Sequence, residues 1–95
     1  MKWYVVCVYK NITNQEKLKE YAAKARIAVE KYKGKLLIRG GKATANEGES
    51  SPRTVVIEFP SYDVANLFYK SKEYQEAHEI LRGHATRHHQ TIEGA

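Results

Sequence analysis

The chain has one cysteine, two prolines and no apolar run near the roughly 18 residues that a bilayer crossing needs. A single thiol, Cys7, excludes an internal disulfide framework and a cysteine-rich metal knuckle. There is no repeat at a solenoid period and no low-complexity tract. The start, Met1-Lys2-Trp3-Tyr4, carries one charge and then alternates like a strand, without the small residues of a leader-peptide cleavage site. Also missing are a glycine-rich phosphate loop, a paired carboxylate and an adjacent nucleophile–base pair. These absences lead us to expect a cytoplasmic protein with no membrane partner and with Cys7 as a buried thiol. They specify no reaction, so whether the chain is an enzyme stays open at this level, and no cofactor is called for.

What is present reads as one globular domain over residues 1–95: 42% hydrophobic residues, 28% charged, net charge +5. The charge is unevenly spread. Residues 1–34 hold eight Lys/Arg and three acids, whereas residues 35–95 hold eight of each. The excess falls on a predicted helix, where Lys17, Lys24 and Lys31 lie on the solvent side and Glu20 is placed to pair with Lys24. A solvated helix face accounts for it without a nucleic-acid partner.

Residues 3–9 are β-branched and aromatic and form a strand. Thr13 with Glu16 reads as a capping box opening a helix. Its core stripe is Leu18, Tyr21, Ala22, Ala25, Val29 and Tyr32, with Gly34 as its stop and Ile27 outside the stripe. Residues 35–39 make a second strand, broken by Gly40-Gly41, and 42–53 a long polar loop. Residues 54–59 make a third strand, ended by Pro60. Ser61 caps a short helix carrying Val64, Leu67 and Phe68. Ser71 caps a continuation in which Tyr74, Ala77, His78 and Leu81 share a face, ended by Gly83. Residues 86–93 are the fourth strand by position, though Ile92 is their one large aliphatic residue. The result is a ferredoxin-like α+β fold, βαββαβ, with a four-stranded antiparallel sheet.

Alternation gives this sheet two apolar faces. Strand one offers Trp3, Val5 and Cys7 on one side and Tyr4, Val6 and Val8 on the other. Two helices cover one face, so a second copy of the chain is the expected cover for the other, a homodimer. Simple alternation also sets Arg39 and Glu58 on one face of adjacent strands, either as an ion pair or as a polar anchor in an apolar pocket.

Several blocks taken in order resemble the family of domain of unknown function 1330. They are Tyr32-Lys33-Gly34, Leu37-Ile38-Arg39-Gly40-Gly41, the run from Arg53 to Ser61, the run from Tyr69 to Gln75, Arg82, and the closing Glu93-Gly94. The resemblance spans essentially the whole chain. It implies a dimeric α+β barrel, two four-stranded sheets packed face to face. That superfamily includes cofactor-free monooxygenases, isomerases and haem-degrading enzymes alongside members without a known activity. Arg39, Glu58, Tyr69, Tyr74 and Arg82 are the recurring polar positions, hence the candidate ligand-binding residues. The last strand departs from the family's aliphatic pattern: here it reads Arg87-His88-His89-Gln90-Thr91.

Among catalytic candidates, His78 on its apolar stripe reads either as a satisfied interior histidine or as a base, and His88 as a base if it turns inward beside Ile92. Along a strand, His84 and His88 stand about 13 Å apart and His88 and His89 point to opposite faces, so no metal site is expected. Tyr69 and Tyr74 flank the break at Ser71, a plausible mouth for a small-molecule pocket. The third strand, Thr54 to Phe59, lacks the basic residue, glycine and stacking aromatics of an RNA-recognition motif, which argues against nucleic acid. Two readings remain: a small-molecule pocket, with or without cofactor-free chemistry, and a dimeric module with no chemistry.

Overall fold

Aromatic and β-branched residues carry β1 from Trp3 to Ile12, and this strand organises the rest. The computed structural model describes residues 1–95. After β1 come α1 (Gln15–Lys31), β2 (Lys35–Arg39), β3 (Thr54–Phe59), α2 (Tyr62–Lys70), α3 (Lys72–Leu81) and β4 (Ala85–Glu93). The sheet order is β2-β3-β1-β4, with β1 antiparallel to both neighbours. This is the ferredoxin-like arrangement, with its second helical arm split in two.

The split is made by Ser71. Its hydroxyl donates to Phe68 O at 2.7 Å and accepts from Tyr74 N at 3.1 Å, so one side chain closes α2 and opens α3. Ala65 and Phe68 form the buried face of α2, while Leu67 points to solvent. At the start of α1 the cap is Asn14 rather than Thr13. Asn14 Oδ1 accepts from Lys17 N at 3.0 Å. Thr13 is engaged elsewhere: its hydroxyl donates to His84 O at 3.0 Å and ties this corner to the entry of β4. Glu20 stands 3.9 Å from Lys17 rather than pairing with Lys24.

Helix α1 ends in a Schellman turn. Lys33 N bonds Glu30 O, Gly34 N bonds Val29 O at 2.8 Å, and Lys33 takes the left-handed conformation with φ 61°. Gly34 is therefore one residue beyond the left-handed position. Its requirement is close approach: an added Cβ would lie 2.8 Å from Val29 Cγ1 and 2.9 Å from Phe59 Cε1.

The polar composition of β4 does not prevent its pairing with β1, from Ala85 opposite Ile12 to Glu93 opposite Trp3. Alternation turns Arg87, His89 and Thr91 toward the helices and His88, Gln90 and Ile92 away. Register in β2 departs from simple alternation. Leu36 pairs with Ile57, but Ile38 pairs with Val56, so Leu37 is bulged out. The bulge turns Arg39 to the helix side opposite Val55. Glu58 stays on the other side, opposite Tyr4 and Lys35. The expected Arg39–Glu58 juxtaposition is thus undone by one extra residue. Glu58 instead accepts a long hydrogen bond from Tyr4 OH at 3.4 Å and lies 3.7 Å from Lys2 Nζ.

The core lies between the helices and one sheet face, with Val5, Tyr9, Phe59, Phe68, Tyr74 and Leu81 its most buried large side chains. The opposite face carries Tyr4, Val6, Val8, Ile38, Val56 and Ile92, uncovered by any element of this chain. No helix is long and apolar enough to cross a membrane.

The tight fit at Gly34 yields a test. Gly34→Ala should destabilise the fold by about 1–3 kcal/mol in urea denaturation, because Val29 and Phe59 are core groups with little room to shift. An unchanged midpoint would show that the contact relaxes freely.

Candidate functional site

Helix α1 packs chiefly on α3, and opposite the sheet it presents small side chains at Ala22 and Ala25. The space left is a cavity of about 370 Å³ between α1 and the helix-facing side of β1, β2 and β3. Val5, Val29, Leu36, Val55 and Ile57 give it apolar walls. One end is polar, built from Cys7, Tyr9, Tyr21, Tyr74, Arg87 and His89.

Arg87 organises that end. Its Nη1 donates to Tyr21 OH at 3.0 Å, to Tyr9 OH at 3.2 Å and to Cys7 Sγ at 3.4 Å. Its Nη2 donates to Tyr74 OH at 2.7 Å, and Tyr21 OH and Tyr74 OH lie 2.9 Å apart. The guanidinium also stands over the rings of Tyr21 and Tyr9, at 5.0 and 5.4 Å from their centroids. None of the salt bridges in the structure includes Arg87.

These neighbours set one another's protonation. Burial works against the Arg87 charge, but Tyr21, Tyr74, Cys7 and Tyr9 more than offset it, and its proton is held above the ordinary arginine range. Burial pushes Tyr9 up to about 12 and raises Tyr21 and Tyr74 as well, so all three phenols stay neutral. Burial also raises the Cys7 thiol, against the pull of Arg87, and keeps it protonated. His89 is pushed down to about 4, first by burial and then by the charge on Arg87, with His78 and His88 adding to it. At neutral pH it is an uncharged imidazole on the cavity wall. Such a group is a hydrogen-bond acceptor and only a weak base, and the cation beside it stabilises an anion placed there.

The positions singled out from sequence scatter around this cavity. Arg39 and Tyr74 line it, Arg39 because of the bulge at Leu37. Tyr69 lies outside the lining, its ring 5.3 Å from that of Tyr74 and 5.2 Å from that of His89. Glu58 is on the opposite sheet face. Arg82 is exposed at the end of α3, 3.2 Å from Glu79. His78 stacks on Tyr74 at 6.0 Å with its Nδ1 buried and unpartnered, so this nitrogen is not satisfied within the chain. Burial lowers its pKa, helped by Arg87 and Arg82. His88 points away from the helices; the inward histidine is its neighbour His89.

Sequence reasoning passed over Arg87, His89 and Arg53 as site residues. The usable signal was the odd-numbered alternation of β4 set against that of β1, which places Arg87 opposite Tyr9. His84, His88 and His89 do not gather with other side chains as a metal-binding group.

A family model described as "Domain of unknown function (DUF1330)" matches residues 2–95. No curated protein matches significantly. Among solved structures, a protein of unknown function from Rhodopseudomonas palustris is 13% identical with a TM-score of 0.83, covering 99% of this chain and 82% of that one. A dimeric ferredoxin-like protein of unknown function from Jannaschia is 11% identical with a TM-score of 0.81, over 99% of this chain and 100% of that one. A point variant of SnoaB, a cofactor-independent oxygenase from Streptomyces nogalater, is 12% identical with a TM-score of 0.62, over 98% and 91%. At such identities the likeness shows a shared fold.

The depressed His89 predicts an acid-labile fold. In the unfolded chain this histidine takes up a proton near pH 6.5, in the folded one only near 4, so stability is full above pH 6.5 and falls as pH drops between these values. His78 acts in the same direction. Relative to His89→Phe, the native chain should lose up to about 3 kcal/mol more across this window in denaturant titrations at stepped pH. Parallel curves for the two proteins would refute the buried neutral state of His89.

Proposed function

The chain belongs to the family of domain of unknown function 1330, and we propose that it is a small-molecule-binding protein whose ligand occupies the cavity under α1. The cavity itself supports this most directly. It falls within the size range of small-ligand sites, has apolar walls, and carries one end of fixed polar groups. Arg39 and Tyr74 contact the ligand directly, and Tyr69 supports the wall behind Tyr74 and His89. Glu58 and Arg82, on other surfaces, act outside the cavity.

A cofactor-independent reaction is the second reading, favoured by the neutral His89 beside the charged Arg87. In this reading His89 takes a proton from the ligand and Arg87 stabilises the anion left behind. The likeness to a protein described as a cofactor-independent oxygenase is in keeping with it. A second copy of the chain covers the apolar sheet face. Neighbouring structures described as dimeric support that assembly, and the lone buried thiol suits a cytoplasmic setting.

Native mass spectrometry of untagged protein tests both parts together. The expected spectrum is a dimer carrying a small noncovalent adduct. A clean apo dimer without thermal stabilisation across a metabolite panel would leave a dimeric module with no ligand. A monomer at micromolar concentration would remove the second copy.

A further inference from the structure

The charges around the cavity all have one sign. Lys19, Arg26, Arg39, Arg53 and Arg87 line it, and no carboxylate does. Of these five, Arg26 has a partner, Glu30 at 3.3 Å. Arg39, Arg53 and Arg87 take part in no salt bridge. Arg87 is solvated by phenols and ring faces, which spread its charge without neutralising it. Arg53 also approaches Tyr9, its guanidinium 5.9 Å from the ring centroid where that of Arg87 stands at 5.4 Å. Arg53 Nε is buried with no acceptor at all. An unpartnered buried donor and a half-buried cation without a counter-charge are both costly, and both are relieved by an acceptor that carries negative charge.

We infer that the ligand of this cavity is an organic anion, an apolar body bearing a carboxylate or an enolate-type oxygen. Its charged oxygen is held between Arg87 and Arg53 at the Tyr9 end. This rests on the ligand-pocket reading above and names the chemical class that the pocket takes. The apolar walls receive the body, and Arg39 at the exposed edge of β2 adds to the attraction on entry. The phenols that bind Arg87 fix its guanidinium before the ligand arrives, so little ordering is left to be done on binding. A neutral molecule of the same shape would leave Arg53 Nε without a charged acceptor.

Matched carboxylate and carboxamide probes separate the two levels of the claim. Benzoate with benzamide, 2-naphthoate with 2-naphthamide and octanoate with octanamide would be titrated into the full chain by calorimetry at pH 7.5. The inference predicts that in at least one pair the carboxylate binds at least tenfold more tightly than the amide. In Arg53→Gln and Arg87→Met that preference should fall to threefold or less. Arg53→Gln keeps the test open if loss of Arg87 disturbs folding, because the Arg53 side chain takes no part in the hydrogen bonds that tie Arg87 to Tyr9, Tyr21 and Tyr74. Equal or tighter binding of the amides would overturn the anion while leaving the pocket in place. A carboxylate preference unchanged in Arg53→Gln would overturn the seat between the two arginines. No binding by any member of the panel would overturn both the inference and the pocket reading.

Discussion

A half-buried guanidinium with no carboxylate beside it is the feature on which the rest of this small fold turns. Arg87 sits on β4, yet its partners come from β1, α1 and α3: Cys7 and Tyr9, Tyr21, and Tyr74. A cation placed in such an interior is tolerable only where polar groups converge on it. Here the convergence pulls the helical layer and the sheet together at one end of the core. At the other end α1 stands over its alanines, and the cavity opens.

That one charge also sets the chemistry available. It opposes ionisation of His89 and His78 and draws against the burial of Cys7 and the tyrosines. The outcome is a wall of neutral donors and acceptors around a permanent cation. Such a wall favours a negative charge more than any neutral state of the same ligand. It does so without reorganising, since the guanidinium is already held. Apolar walls and a cation-bearing polar end thus meet in one cavity.

The fold was legible from period and capping wherever local chemistry decided the outcome. Strands β2 and β3 fall where their aliphatic runs put them, and Ser61 and Ser71 cap the helices they precede. Where tertiary contacts decided, sequence reading slipped. Asn14 caps α1 because Thr13 is taken by the backbone of His84, a residue 71 positions away. The bulge at Leu37 has no local signature, and it moved Arg39 into the cavity and away from Glu58. Strand β4 falls where position placed it, although its composition is polar, because backbone pairing with β1 needs no aliphatic side chains and Arg87 and His89 line the polar end of the cavity. The run from Arg87 to Thr91 stood out as unlike its family, and two of its residues, Arg87 and His89, line the polar end of the cavity.

A ligand seated in the cavity must meet Arg87, and residue-resolved NMR reads that directly. In a 95-residue domain, backbone amides and the arginine Nε–H groups can be followed together during titration with 2-naphthoate. The largest shifts should fall on Arg87 Nε, Arg53 Nε and the amides of Tyr9, Tyr21, Val55 and His89. Shifts confined to Val8, Ile38 and Ile92 on the open sheet face, with Arg87 unmoved, would contradict it.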